Sequence, residues 1–216
     1  MADVVYGRRP VAEAERGRRR VLRRWTADDT DAAELTRIAG SADHQGIVAE
    51  VEPYPYADPA TLLAGPDALV VALDQVQDPH NLGAVCRTAE AAGAAGVVIP
   101  DRRSAAVTPA VAKASAGAVE HLPVARVRNL ADWLAAAKAA GAWIYGAAAE
   151  APGRYVDADL TGRAVVVLGS EGAGLRPRVA ASCDLLVSIP VLGRVGSLNV
   201  SAAAAVLLFE AVRQRS

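Results

Sequence analysis

From about residue 66 onward, short unbroken apolar runs alternate with longer stretches of helical period. The runs are Ala68–Leu73, Gly96–Ile99, Leu122–Val127, Ala142–Ala147, Ala164–Leu168 and Leu185–Ile189. They are continuous rather than alternating, which is the pattern of strands covered on both faces. Between them Leu82–Ala92, Pro109–Gly117, Leu130–Ala140, Pro177–Ser182 and Ser197–Arg213 predict helices. Thr108 before Pro109, and Asn129 before Leu130, are N-cap signals. Strands alternating with helices predict an α/β domain, a parallel sheet with helices on both faces.

The segment before this is different. Residues 8–16 read as a helix, Arg18–Trp25 as a strand, Asp31–Ala39 as a helix and Ile47–Val51 as a strand. Asp31 is the expected N-cap, with Glu34 as its capping-box partner. This predicts a small α+β unit over residues 1–52. About fifty residues with so few large apolar groups are marginal alone, so the unit must lean on the larger domain or on a partner. Pro53, Pro55 and Pro59 make residues 53–65 an extended, stiff linker into a domain of residues 66–216.

The chain has 216 residues, 52% of them apolar and 22% charged, which excludes disorder and coiled coil. Aromatics are only 4%, so the core must be built of small aliphatic side chains. Cys86 and Cys183 are too far apart in sequence for a disulfide framework of the small secreted kind. Cys86 falls on an apolar helix stripe and reads as a small core residue. No run reaches about 18 apolar residues, and the arginine-rich start has no apolar centre, so the reading is a cytoplasmic chain without a membrane span. His44, His80 and His121 are dispersed and give no metal constellation.

Charge changes the picture at one end. The net charge is −1, yet residues 1–27 hold eight arginines (Arg8, Arg9, Arg16, Arg18, Arg19, Arg20, Arg23, Arg24) against Asp3, Glu13 and Glu15, a balance of +5. Such a block on a near-neutral chain suggests a polyanion partner; the plain alternative is a solvated face.

Three strand exits carry candidate chemistry, where open α/β sheets bind ligands. The first, Asp74 to Ala89, places Asn81 at a helix start and Arg87 about two turns along, beside an apolar face; an ion pair with Glu90 is the structural alternative. The second, Leu168 to Leu175, brings Gly169, Gly172 and Gly174 behind a buried strand. It is neither a P-loop nor G-x-G-x-x-G, and Glu171 would repel phosphate, so a neutral or cationic ligand suits it. The third, Ile189 to Ser201, sets Ser197, Asn199 and Ser201 at the start of a long helix whose Ala202–Phe209 segment looks fully buried.

The run N-x-G-x-x-x-R from Asn81 to Arg87, then G-x-E-x-x-G from Gly169 to Gly174, then Ile189-Pro190 with Ser197-Leu198-Asn199-Val200-Ser201, resembles the three motifs of the SpoU (TrmH-like) ribose 2′-O-methyltransferases of the SPOUT superfamily. The resemblance spans about residues 68–213. His44–Ala49 and the proline-rich segment resemble its RlmB-type branch, which methylates a guanosine ribose in large-subunit ribosomal RNA and carries an N-terminal RNA-binding domain. The resemblance implies a deep trefoil knot, S-adenosylmethionine as methyl donor, an RNA substrate and a homodimer with the site at the subunit interface. It assigns Arg87, Asn81, Glu171, Ser197 and Asn199 to catalysis. It assigns Gly169, Ile189, Leu198, Leu168, Gly174 and Gly193 to the donor. Two departures stand out. Val191 occupies the family's usual methionine position, and the N-terminal piece is short for a complete RNA-binding domain, with further structure expected between Trp25 and Asp31. A transfer-RNA methylase, an antibiotic-resistance ribosomal-RNA methylase and a non-catalytic RNA-binding factor are the competing readings.

Overall fold

The structure, a computed structural model, describes residues 2–216. The first fifty residues form β1 (Asp3–Tyr6), α1 (Arg8–Arg16), β2 (Val21–Thr26), α2 (Ala32–Ala39) and β3 (Ile47–Val51). The three strands make an antiparallel sheet in the order β1-β3-β2. Asp31 caps α2 as expected, accepting from Glu34 N at 2.8 Å. The sequence reading missed β1, whose four residues are too few to show a period. No element lies between β2 and α2. A turn does the work, closed by Thr26 N donating to Asp29 at 2.9 Å.

The larger part contains β4 (Leu69–Asp74), α3 (Pro79–Ala91), β5 (Gly96–Pro100), α4 (Pro109–Ala114), β6 (Val124–Val127), α5 (Leu130–Ala139), β7 (Trp143–Ala147), β8 (Gly153–Arg154), β9 (Ala164–Gly169), α6 (Pro177–Ser182), β10 (Leu185–Ser188) and α7 (Val200–Arg215). Its seven strands form one sheet, β6-β5-β4-β9-β7-β10-β8, with every ladder parallel. Successive strand residues point to opposite faces. Leu69, Val71, Leu73, Ile99, Val166 and Leu168 pack with Leu82 and Val85 of α3, Val111 of α4 and Leu207 and Leu208 of α7. Val70, Ala72, Val98, Val165 and Val167 pack with Leu130 and Leu134 of α5 and Val179 of α6. This is the parallel sheet covered on both faces that the continuous apolar runs imply.

Several boundaries differ from the pattern. Helix α3 begins at Pro79, not Leu82, because Asp78 caps it, accepting from His80 N at 2.8 Å. Its first turn is polar, so apolar periodicity starts late. Likewise α7 begins at Val200, with Asn199 rather than Ser197 at the cap. Nor is Ala202–Phe209 fully buried: Ala202 is exposed and Phe209 is half exposed. Strand β2 starts at Val21 because Arg18 and Arg19 leave the expected strand and turn into the larger sheet unit.

These two arginines fasten the N-terminal unit. Arg19 Nε donates to Glu120 Oε2 at 2.9 Å, and its Nη2 pairs with Oε1 of the same carboxylate; both side chains are buried. Arg18 donates to the Leu122 carbonyl at 2.8 Å. The Tyr54 hydroxyl donates to the Val119 and Leu122 carbonyls at 3.1 and 3.2 Å. Val5, Val11, Ala14, Ala49 and Val51 join the same apolar cluster as β4 and α3. A Cβ on Gly17 would lie 2.6 Å from Glu120 Cβ, so the approach is close. Residues 53–56 continue along this seam, whereas residues 61–63 form a 3-10 turn, not the extended linker expected, and pack on the other face of the large sheet. Val107 N donates to the Tyr56 hydroxyl at 2.9 Å, and Leu62 and Leu63 are buried.

The basic block is therefore not one continuous anion-binding face. Arg19 is buried, Arg16, Arg20 and Arg24 pair with Glu13, Glu52 and Glu15, and Arg23 stacks 4.7 Å over Trp25.

Candidate active site at the carboxyl ends of the strands

Strands β9, β7 and β10 end side by side, at Gly169, Ala147 and Ser188. Beyond these ends lies a cavity of about 670 Å³. That size suits a small-molecule site, and its place is the usual one for this class of sheet. Its walls are residues 168–175, residues 147–150, Val187, Ile189, Val191 and residues 197–200. Glu150 and Glu171 are the charged side chains in this lining, and it contains no lysine or arginine.

The loop after β9 folds back on itself. Gly174 N donates to the Ser170 carbonyl at 2.9 Å. Gly172 and Gly174 hold φ of 81° and 64°, which glycine adopts without steric cost. A Cβ on Gly169 would overlap the Gly174 backbone and lie 2.5 Å from Leu175 N. Here backbone packs on backbone, and no larger residue fits. The far end of the loop is clamped by Asp74, the last residue of β4. Its fully buried carboxylate accepts from Arg176 N and Nε, both at 2.8 Å. Sequence reading missed this pair, although a charge ending an apolar strand is a visible signal that a partner is required.

The three motifs meet through three side chains. Asn81, buried in the first turn of α3, donates from Nδ2 to Glu171 Oε1 at 3.1 Å. Asn199 donates from Nδ2 to Asn81 Oδ1 at 2.9 Å and also to Glu171 Oε1. Its Oδ1 accepts from Ser201 N at 2.8 Å, which is the N-cap of α7. One asparagine thus ties the helix start to the glycine loop.

Of the residues expected at the donor, Leu168, Gly169, Gly174, Ile189 and Leu198 line the cavity, as do Glu171, Ser197 and Asn199. Gly193 lies off the lining, in the exposed part of its loop. Residues 147–150 were not anticipated; their signal is a strand exit built of small side chains followed by Pro152-Gly153. Arg87 is not brought to this cavity. It is exposed on α3, makes no ion pair with Glu90 or another acid among the described residues, and lines a separate cleft with Arg8, Arg9 and Lys113. Next to it, Cys86 is fully buried, and burial pushes its thiol up to about 12. Among the described residues, no three His, Cys, Asp or Glu side chains gather to hold a metal ion, and no helix is long and apolar enough to cross a membrane.

Comparison with known proteins gives this geometry a lineage. The model of the SpoU rRNA Methylase family matches residues 68–209. An uncharacterized tRNA/rRNA methyltransferase of Synechocystis is 40% identical over 99% of this chain, which spans 63% of that relative's length. The 23S rRNA (guanosine-2′-O-)-methyltransferase RlmB of Pseudomonas syringae is 48% identical over 80% of this chain and 71% of its own. Among solved structures, the SpoU methyltransferase AviRb of Streptomyces viridochromogenes, in complex with AdoMet, superposes with a TM-score of 0.86. That match has 29% identity and covers 99% of this chain and 90% of that one. A matched region running from the start of the large sheet to α7 includes the glycine loop, the joined asparagines and the donor-sized cavity, and the chain belongs to the SpoU rRNA methylase family.

Proposed function

We propose that the chain transfers the methyl group of S-adenosylmethionine to a ribose 2′-hydroxyl of RNA, with a guanosine of 23S ribosomal RNA as the target, and that it does so in the cytoplasm. The observation that carries this reading is the glycine-walled cavity without a cation, beside the joined Asn81, Glu171 and Asn199. Carboxylates and backbone edges suit a sulfonium and an adenine, whereas a phosphate-bearing cofactor would meet the negative charges of Glu150 and Glu171 in a lining without lysine or arginine. Family membership and the names of the Pseudomonas and Streptomyces proteins support the same reading.

Bound there, S-adenosylmethionine supplies an electrophilic methyl group. Leu168, Ile189 and Leu198 offer apolar walls to it, and Gly169 and Gly174 let backbone groups approach. Gly193, off the lining in the exposed part of the Ile189–Leu198 loop, is tied to the donor by the family resemblance alone. Asn81, Glu171, Ser197 and Asn199 orient the ribose by hydrogen bonds. Arg87 holds the neighbouring phosphate and stabilises the developing 2′-alkoxide. A guanidinium stays protonated in ordinary conditions, so its contribution is electrostatic rather than that of a base. Holding both reactants in line would turn an encounter into an oriented displacement, the 2′-oxygen gaining the methyl carbon as its bond to sulfur breaks, with a neutral thioether leaving and the hydroxyl proton passing to solvent.

Within one chain Arg87 lies outside the donor cavity, so this arrangement calls for a second copy. The proposed homodimer would cover the apolar groups at the cavity rim and on α7: Leu192 is 100% exposed, Val195 75% and Phe209 50%. The test is Arg87→Ala. Transfer to 23S RNA should fall by about a hundred- to a thousandfold, on the scale of lost electrostatic stabilisation, while calorimetry shows the donor still bound. Near-normal turnover would remove Arg87 from the assignment, and a methyl mapped to a base would remove the ribose.

A further inference from the structure

On the side of α3 away from the donor cavity, the start of α1, the turn at Gln45 and α4 enclose a second cleft of about 680 Å³. Arg8, Arg9, Arg87 and Lys113 line it, and no carboxylate does. None of the four forms an ion pair among the described residues. Elsewhere in the same unit the surface arginines have partners: Arg16, Arg20, Arg24 and Arg37 pair with acids and Arg23 stacks on Trp25. The two arginines of the N-terminal unit whose side chains have no partner among the described residues, Arg8 and Arg9, thus both line this cleft.

The cleft is built rather than accidental. The Lys113 ammonium donates to the Asp43 carbonyl at 2.8 Å and lies 5.6 Å over the Tyr6 ring. A Cβ on Gly7 would come within 2.6 Å of that ammonium, so glycine at position 7 leaves room for it. Gln45 accepts from Arg8 N at 3.0 Å and sets the start of α1. That helix then opens with two arginines and no acid in its first turn, the reverse of the usual preference. Four like charges line one cleft with no acid to offset them, an arrangement that breaks local rules and marks a place where a ligand completes it. The ligand must be an extended anion, since the cations come from both the N-terminal unit and the catalytic sheet.

We propose that this cleft seats the phosphodiesters flanking the target ribose, gripped jointly by Arg8, Arg9, Lys113 and Arg87. This rests on the RNA ribose methyltransferase reading and deepens it. The N-terminal unit then meets RNA through the start of α1, and Arg87 links the phosphate seat to the reacting sugar.

The test uses the full chain with Arg8→Gln and Arg9→Gln combined; both side chains are exposed and free of protein partners, so folding is spared. Arg37→Gln on α2 is the control for a lost surface charge. Anisotropy with a fluorescent, mixed-sequence single-stranded RNA is read across a salt series, alongside methyl transfer to 23S ribosomal RNA. The double variant should bind RNA at least tenfold more weakly. Its plot of log affinity against log salt should be shallower by about 1.4, at roughly 0.7 for each phosphate no longer neutralised. KM for RNA should rise with kcat within about twofold, and donor affinity should be unchanged. A double variant that tracks Arg37→Gln in affinity and slope overturns the proposal. If the unaltered protein binds RNA yet transfers no methyl group, the proposed function fails while the binding data still decide this one. If it binds no RNA, both fail.

Discussion

Replacing Arg19 by methionine tests whether the seam between the two sheets rests on a buried charge pair. Glu120 has essentially no solvent exposure and receives two guanidinium donors from Arg19. Arg19→Met keeps the volume and strands that carboxylate. Asp3 and the Glu52 carbonyl lose donors at 3.2 and 3.4 Å as well. Deleting one partner of a buried pair costs about 3–5 kcal/mol. At about 2–4 °C per kcal/mol for a chain of this size, Tm should fall by about 6–20 °C. By contrast Arg20–Glu52, with side chains 75% and 44% exposed, is screened by water, and its loss should be within about 1 kcal/mol. The informative protein is the double variant Arg19→Met, Glu120→Leu. It leaves no buried charge stranded, since the Asp3 side chain is 37% exposed and keeps the Tyr54 N donor, and should recover most of the loss, because an apolar pair of similar volume replaces a buried ion pair at little cost. Calorimetric unfolding of the four proteins closes the cycle. A single variant that loses less than about 1 kcal/mol, or a double variant as damaged as the sum of the singles, would refute the reasoning.

Two further outcomes follow from the geometry. Gly169→Ala forces a methyl group into the Gly174 backbone; stability should fall by about 1–3 kcal/mol, and donor affinity, measured by calorimetry, by at least tenfold. Unchanged affinity would mean that the loop does not touch the donor. The second concerns acid. Glu210 is held down to about 2, from an ordinary 4.5, by hydrogen bonds from Arg213 and Gln214. The folded chain therefore binds this proton more weakly than the unfolded one, so the stabilisation is complete above 4.5 and lost as pH falls towards 2. Glu210→Gln should flatten the slope of Tm against pH in that window, and identical slopes would count against it.

How much of this could be read from residues alone follows from where the information sits. The parallel sheet was legible because its strands are buried on both faces, so their apolar runs are unbroken, and Asp31, Thr108 and Asn129 announced their helices truly. Strand β1 was not, since four residues paired to a distant strand carry no period of their own. The start of α3 was placed three residues late because its polar first turn hides it from a hydrophobic count, and that of α7 three residues early because Ser197 is as good a cap residue as Asn199. At the site, glycine spacing pointed to the loop after β9. It could not reveal the Asp74–Arg176 clamp, 102 positions apart. Nor could it reveal that Arg18 and Arg19 are spent on internal bonds, because a basic block looks the same in sequence whether it faces solvent or Glu120. Charge runs report composition, and only packing decides which charges remain free.

The free charges that remain bear on how a transfer site is divided. Asn81 and Arg87 share helix α3, six residues apart, which places them about 9 Å apart along its axis and about 120° apart around it. Asn81 is turned toward Glu171 and Asn199, on the donor side, while Arg87 faces the N-terminal unit. No rotation of a side chain brings both to one point within the chain. A monomer would gain nothing from placing the two halves of a site on opposite sides of one helix. A two-fold dimer gains a great deal, since each surface is used twice and the cleft of one copy can complete the donor cavity of the other. The proposed homodimer would account together for the exposed Leu192, Val195 and Phe209 and for the unpaired Arg87, as parts that one chain leaves without a partner.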